Sequence, residues 1–170
     1  MDGLNVNDLM GADAPKGIHI PTTADLYEAL ENILWFWPSV FVQLVKDNQG
    51  ETLLDLSRTV RLTGQYEGLV ILKSTESLGR ILANSLLEDR PSSPEDAFGE
   101  FSNMFCGHIM NKIRTSDKVA FRHFLPLPAS ESLRPSRPPE ARMTVAIESV
   151  TLDVQLWIGR DASLTEGIRN

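Results

Sequence analysis

Apolar and polar residues alternate with a period of two in two separate parts of the chain. The alternation first covers residues 54–62, and a more continuously apolar segment follows at 66–73. It returns over residues 143–147 and 152–158, with a turn near Ser149. Because successive side chains of a β-strand point to opposite faces, these segments predict two pairs of strands. The polar side of the first strand is predicted to face solvent.

Two segments have their apolar residues at helical spacing instead. The first helix is predicted to start near Ala24, where threonines at 22 and 23 can cap it, and to end at Pro38. The second is predicted over about residues 76–87, directly after the second strand.

A third and longer helix is predicted from the sequence that follows a proline- and serine-rich loop. Ser93 can cap it, Pro94 suits its first position, and the helix should continue to about Thr115. The order is therefore helix, strands, helix, helix, strands. This order predicts an α+β domain with a largely antiparallel sheet and long helices packed on it.

Length and composition indicate one folded domain. The chain has 170 residues, of which 42% are hydrophobic and 23% are charged. Residues 1–21 are rich in Gly, Asn, Asp and Pro and are predicted to form a flexible N-terminal arm, with a single domain over 22–170. Residues 126–139 hold five prolines, which predicts an exposed loop.

Charge and hydropathy argue against two classes of partner. The net charge is −7 and the pI is about 4.9, so phosphate backbones and anionic lipids would repel the chain. The longest apolar candidate for a membrane span, residues 33–45, is interrupted by Pro38, Ser39 and Gln43. The N-terminal sequence does not have the pattern of a secretory signal. We therefore expect a cytoplasmic protein that binds neither nucleic acid nor membrane.

The sequence shows no common catalytic or metal-binding motif. There is no Walker loop, no dinucleotide-binding glycine pattern, no metal-ligand cluster and no Ser-His-Asp spacing. The single cysteine, Cys106, excludes an intramolecular disulfide, and with no evident activating base nearby it is predicted to be a packing residue. No metal site and no cofactor of its own are predicted for the chain.

The segment SPEDAFGEFSNMFCG, residues 93–107, carries the most informative pattern for function. At about 100° per residue, its acidic and amide residues lie within roughly 60° of one another on the third predicted helix. With the glycine that follows they form what we call the motif strip: Asp96, Glu100, Asn103 and Gly107. Phenylalanines at 98, 101 and 105 lie on the opposite side, which predicts that this side faces the core.

The motif strip has a simple interpretation as the solvent side of an amphipathic helix, since such faces are common. Two features favour a functional surface. Asn is a mediocre residue for a helix interior, and Gly107 costs about 1 kcal/mol relative to Ala while letting another surface come close. Met104 and Met110 lie at the edges of the strip, where they would form an adaptable apolar rim that binds a partner or would pack at the core boundary.

A longer pattern extends the motif strip. DAFGEFSN has the spacing D-x-x-x-E-x-x-N, and twenty-two residues separate Asn103 from Pro126. Residues 100–113 contain E-x-x-N-M-x-x-G, and a strand–helix unit at 64–87 precedes them. Through these features, over roughly residues 50–160, the chain resembles the CheC/CheX/FliY family of chemotaxis phosphatases and most of all its CheX branch. The resemblance implies a CheX-like fold.

The same resemblance implies a phosphatase that acts on the aspartyl phosphate of a CheY-like response regulator. Asn103 would orient the attacking water and Glu100 would pair with the receiver's lysine, with Asp96, Gly107 and Pro126 in supporting roles. Mg²⁺ is expected in the partner receiver domain, and catalysis would consist of positioning and charge stabilisation. The CheX branch also implies a homodimer.

Two other interpretations stay open from the sequence. The chain could be a non-catalytic module of the same fold that binds receivers or flagellar-switch components, or a structural domain whose motif is coincidental. The first helix shows that the spacing alone is insufficient. Asp25 and Asn32 have the right offsets there, but residue 29 is Ala and the matching downstream residue, Asp55, is not proline. No second site is therefore predicted on the first helix.

Overall fold

The computed structural model of the chain gives a helix layer on an antiparallel sheet. The residues that it describes are 19–35, 42–44, 54–64, 67–85, 93–113, 122–123, 127–128, 135 and 137–159. The helices are α1 (Thr23–Leu34), α2 (Glu76–Ser85) and α3 (Pro94–Ile113). The strands are β1 (Val42–Leu44), β2 (Leu56–Thr63), β3 (Glu67–Ser74), β4 (Arg122–His123), β5 (Leu127–Pro128), β6 (Ala141–Ile147) and β7 (Val150–Gly159).

The strands form one sheet in the order β1-β6-β7-β3-β2-β4, and β5 also pairs with β2. Each of these pairs is antiparallel. The two hairpins predicted from the alternation, β2–β3 and β6–β7, meet in the middle of the sheet, where β3 pairs with β7. The predicted α+β class with a largely antiparallel sheet is confirmed.

A two-residue turn joins β6 to β7, as expected near Ser149. Ile147 pairs with Val150, and the two residues between them have positive φ angles, 48° at Glu148 and 68° at Ser149. Positive φ at both central positions is the geometry of a type I′ turn, whose twist matches that of the strands. Because neither residue is glycine, strand pairing on both sides must hold this conformation.

A capping box starts α1, in agreement with the predicted threonine cap. The Thr22 N–H donates to Asp25 Oδ2 at 2.7 Å, and the Asp25 N–H donates to Thr22 Oγ1 at 3.3 Å. The bond from the Thr22 backbone is the largest cause that holds the pKa of Asp25 below its ordinary value. His19 Nε2 lies 3.0 Å from the same carboxylate. The helix ends at Leu34, before Pro38, which lies outside the described residues.

The core lies between the helices and the sheet. The predicted aromatic side of α3 is directed into it: Phe98, Phe101 and Phe105 are fully buried, and the rings of Phe98 and Phe101 stack with centroids 6.2 Å apart. Apolar residues of α1, α2 and the four longer strands complete the same cluster. The prediction of an inward aromatic face is confirmed.

The opposite face of the sheet is buried in part as well, which the sequence did not predict. Thr59 is fully buried and Ser57 nearly so, and a second apolar cluster joins Leu69, Ile71 and Trp157. The indole N–H of Trp157 donates to the backbone oxygen of Arg137 at 2.9 Å. The prediction that the polar side of β2 faces solvent is wrong for Ser57 and Thr59, whereas Asp55, just before the strand, is exposed and Arg61 is partly exposed. Alternation reports which residues share a face, and it does not report what covers that face.

Candidate functional site

Contacts with three different elements hold α3 on three of its sides. Lys112 forms an ion pair with Glu28 of α1. Against α2, the helices approach so closely that a Cβ on Gly79 would lie 2.5 Å from the Pro94 backbone oxygen, so this position requires glycine. Against the sheet, Arg58 of β2 donates to a backbone oxygen in the first turn of α3. The motif strip lies on the remaining side.

The start of α3 is fixed by the predicted serine cap. The Asp96 N–H donates to Ser93 Oγ at 3.0 Å, and the Ala97 N–H donates to the Ser93 backbone oxygen, also at 3.0 Å. The helix then continues for 20 residues to Ile113. The serine cap therefore fixes the residue at which α3 begins, and the positions of the motif strip along the helix follow from it.

The structure brings the four residues of the motif strip to one surface of α3. Asp96 and Glu100 are exposed, and Asn103 and Gly107 are partly exposed. Each i, i+4 pair is separated by about 6 Å along the helix axis, and Asn103 lies about 4.5 Å beyond Glu100. The carboxamide and the carboxylates can therefore meet one docked surface together.

Gly107 differs from the glycine at the α2–α3 contact. A Cβ built on Gly107 meets no atom within 4 Å among the described contacts of the fold, whereas one on Gly79 would overlap Pro94. The packing of the described residues thus gives no reason for glycine at 107. Glycine inside a helix costs about 1 kcal/mol relative to Ala, so a surface that permits close approach is one use for it.

The two methionines at the edges of the motif strip have different surroundings. Met104 is partly exposed and packs against the edge of the core, in keeping with its predicted place at the boundary. Met110 is only 4% exposed and belongs to the core. The prediction that Met110 forms an exposed rim for a partner is wrong, because tertiary packing covers the later turns of α3 on a side where the earlier turns are open.

Pro126, predicted to support the site from a loop, lies outside the described residues, and its role stays a prediction. Most of the proline-rich segment 126–139 also lies outside them, as do residues 1–18, which include most of the predicted N-terminal arm.

A cluster of negative charge surrounds the first half of the motif strip. Glu95, Asp96 and Glu100 are all exposed in the first two turns of α3. Carboxylates near the start of a helix are favourable there, because they oppose the positive end of the helix dipole. A partner that presents a cation to this surface would meet electrostatic complementarity.

Arg58 is the residue beside this site that sequence reasoning missed. It occupies a position on β2 with the same orientation as Val60 and Leu62, which are fully buried, yet it carries a charge. A charged residue that interrupts the apolar side of a strand is a signal that could have identified it. Its side chain passes from the sheet to α3.

Other chemistry that a phosphatase could use is not found in the part of the chain that the structure describes. Cys106 is fully buried, and burial raises the pKa of its thiol far above the ordinary value, so it is not a nucleophile. The described residues include no group of His, Cys, Asp and Glu that could hold a metal ion. Among the described helices, none has the length and apolarity to cross a membrane.

The equivalent positions on α1 differ from those of the motif strip. Ala29, at the position that matches Glu100, is fully buried, while Asn32 is exposed. The described face of α1 therefore presents no carboxylate at the position that would precede its Asn, in agreement with the prediction from the sequence.

Several solved structures share this fold. The CheX protein from Desulfovibrio desulfuricans matches with a TM-score of 0.58 and 16% identity, over 80% of this chain and 97% of that chain. CheX from Vibrio vulnificus matches with a TM-score of 0.62 and 18% identity, over 79% and 94%. The CheX–CheY–BeF₃–Mg²⁺ complex from Borrelia burgdorferi matches with a TM-score of 0.53 and 14% identity, over 83% and 99%. At these identities the likeness shows the fold alone.

The sequence itself gives the assignment to a family. A comparison with curated proteins finds no match. The family model described as chemotaxis phosphatase CheX matches residues 56–148, which extend from β2 through the motif strip to the turn before β7. The resemblance inferred from the motif pattern is confirmed. The chain belongs to the CheX family of chemotaxis phosphatases.

Proposed function

We propose that this protein removes the phosphoryl group from the aspartyl phosphate of a CheY-like response regulator, using the motif strip of α3 as its docking and catalytic surface. The observation that carries the proposal is the exposed strip itself. It combines a carboxylate, a carboxamide and a glycine on one side of a firmly held helix, and a Cβ on that glycine would meet no atom of the described residues within 4 Å. The matched family and the similarity to a CheX structure in complex with CheY support it.

In this proposal Asn103 orients the water that attacks the phosphorus atom. The new P–O bond forms as the bond to the receiver's aspartate breaks, which releases inorganic phosphate and a free carboxylate. A carboxamide suits the task because it can donate and accept hydrogen bonds at the same time and is neutral. A carboxylate in its place would be repelled by the phosphoryl oxygens. The contribution of the chain is thus positioning, with no covalent step of its own.

Glu100 fixes the docking pose by pairing with the receiver's lysine. Its carboxylate is exposed and is one turn before the carboxamide of Asn103, so a lysine bound to Glu100 would bring the neighbouring phosphoryl group towards Asn103. Asp96 adds negative charge at the start of the strip. Mg²⁺ belongs to the receiver in this scheme, where it would neutralise charge on the phosphoryl oxygens.

Gly107 and Met104 extend the docking surface beyond the reacting atoms. The absence of a side chain at Gly107 allows the receiver's backbone to approach α3 closely, and the partly exposed Met104 gives an adaptable apolar contact beside it. A homodimer, which the CheX branch implies, and a cytoplasmic location, which the sequence predicts, are also part of the proposal.

The proposal is tested with the purified protein and a CheY-like receiver phosphorylated by a small-molecule phosphodonor. Phosphate release is followed with and without the protein, and binding is measured separately with the receiver activated by beryllofluoride. Acceleration of phosphate release supports the proposal. Binding without acceleration would instead identify the non-catalytic receiver-binding module that the sequence left open. Neither binding nor acceleration with any of a panel of CheY-like receivers would overturn both.

A further inference from the structure

Arg58 places a charged group where β2 otherwise contributes to the core. Val60 and Leu62, which share its orientation, are fully buried, and Arg58 itself is partly buried. The aliphatic stem of an arginine packs favourably on apolar surface, but burying its guanidinium is costly unless that group finds hydrogen-bond acceptors. The contacts of this guanidinium therefore indicate why the residue is there.

Those contacts tie the sheet to the first turn of α3. Arg58 Nη2 donates to the Glu95 backbone oxygen at 2.8 Å, and Nη1 donates to the Ser57 backbone oxygen at 3.0 Å. Arg58 Nε lies 3.7 Å from the place that a Cβ on Gly99 would occupy, so the side chain extends along the helix surface at that glycine. The planar guanidinium can make both backbone bonds at once in a fixed geometry, which a lysine cannot do.

The contacted part of α3 borders the motif strip. Gly99 directly precedes Glu100 and lies one turn before Asn103 on the same side of the helix. Helical side chains lean towards the N-terminus, so the surface that the Asn103 side chain covers is the turn that contains Gly99. The guanidinium of Arg58 therefore lies at the border of the strip, beside the turn over which the carboxamide extends.

We propose that Arg58 is a positioning residue for this phosphatase. By fixing the first turns of α3 on β2, it sets the height and rotation of the motif strip, and hence where the Asn103 carboxamide is held relative to a docked phosphoryl group. The inference rests on the proposed function. Misplacement of a reacting group by about 1 Å can cost as much as roughly a hundredfold in rate, so a helix that is held less firmly should lose turnover before it loses its fold.

The experiment compares Arg58→Gln and Arg58→Lys with Arg80→Gln. Arg80 is a matched control, since it forms an exposed ion pair within its own helix, α2, with Nε and Nη2 both donating to Glu76 Oε1. We expect Arg58→Gln to lower kcat by roughly tenfold or more with little change in KM, and Arg58→Lys to lower it by less. Arg80→Gln should match the wild type. Rates are measured well below each variant's Tm, and Arg58→Lys serves if Arg58→Gln does not fold.

A double-mutant cycle separates positioning from a general loss of structure. If Arg58 acts through Asn103, Arg58→Gln adds no further loss of kcat when Asn103 is already Ala. A loss that multiplies with that of Asn103→Ala, or an unchanged kcat in both Arg58 variants, would overturn the inference. If Asn103→Ala alone leaves turnover intact, the proposed function fails instead, so the two failures are distinguishable.

Discussion

Two helices of this domain, α1 and α3, carry Asp and Asn at the same spacing, and their environments differ. On α1 the carboxylate of Asp25 accepts hydrogen bonds within the helix's own capping box, and the residue at the Glu position, Ala29, is buried. On α3 the cap is the Ser93 hydroxyl, and both carboxylates of the motif strip are exposed. The comparison teaches that a shared spacing becomes a site only where packing leaves those side chains available to a partner.

The largest expected effect tests this difference through stability. Ala29→Glu would place a carboxylate in the core beneath α1, where it costs about 3 kcal/mol or more of unfolding free energy, so the variant should unfold early or fail to fold. Glu100→Ala, the opposite change at the matching position of α3, should stay within about 0.5 kcal/mol of the wild type. Denaturant unfolding measures both. Equal stabilities would show that the two helix faces are not different in burial.

Removing the carboxylate of Glu100 should weaken docking. Because a charge-assisted bond to the receiver's lysine contributes about 1.5–3 kcal/mol, we expect Glu100→Ala to raise the KM for the phosphorylated receiver roughly tenfold or more. Glu31→Ala is the matched control, since Glu31 is an exposed carboxylate on α1. Steady-state phosphate release measures both variants. If the two raise KM equally, the effect comes from net charge alone and not from the pose of α3.

The features of this structure that could be predicted are those that impose a recognisable pattern on the amino-acid sequence. Periodicity predicted the β2–β3 and β6–β7 hairpins and the inward face of α3, because burial imposes a repeat on the residue types. The Ser93 cap was also readable, because capping depends on local chemistry. The end of α1 at Leu34, four residues before Pro38, was not readable, because several residues before a proline can leave a helix without a local signal.

The site was predicted less completely than the fold. The motif strip followed from spacing on one helix, but Met110 and Arg58 did not. Met110 is buried by elements distant in sequence, and Arg58 reaches α3 only because β2 passes beneath it. A helical wheel contains neither fact. Thr59 shows the same limit for the sheet. The alternation along β2 predicts that Thr59 faces solvent, but its side chain is fully buried.

At Gly107 we expect a substitution to raise the stability of the fold and to weaken receiver binding, and both effects should be smaller than those above. Gly107→Ala should stabilise the fold by up to about 1 kcal/mol, because alanine favours the helix and its methyl group meets no atom within 4 Å. The same methyl group should weaken receiver binding a few-fold by blocking close approach. Thermal unfolding and binding to the beryllofluoride-activated receiver measure the two effects. A gain in stability with unchanged affinity would remove Gly107 from the docking surface.

The smallest effect concerns the cap of α1 and its dependence on pH. The folded-state pKa of Asp25 is below its ordinary value of 3.8, so its carboxylate contributes stability above that pH, and the contribution is lost as the pH falls through the folded pKa. In Asp25→Asn this part of the acid dependence should disappear. Unfolding free energies from about pH 5 down to about pH 2 measure it. An unchanged acid slope would contradict the assignment, and phosphatase activity near neutral pH should be unaffected.

The central claim is that the partly exposed carboxamide of Asn103 on α3, and not that of Asn32 on α1, promotes the loss of phosphate from a docked receiver. Asn103→Ala and Asn32→Ala make the same chemical change on two helices. Asn103 is partly exposed and Asn32 is exposed, so neither substitution should disturb the core. The most direct test measures the rate of phosphate release from a phosphorylated CheY-like receiver at saturating concentrations of each variant. We predict a loss of roughly a hundredfold for Asn103→Ala and none for Asn32→Ala. Equal rates for the two variants and the wild type would contradict the account.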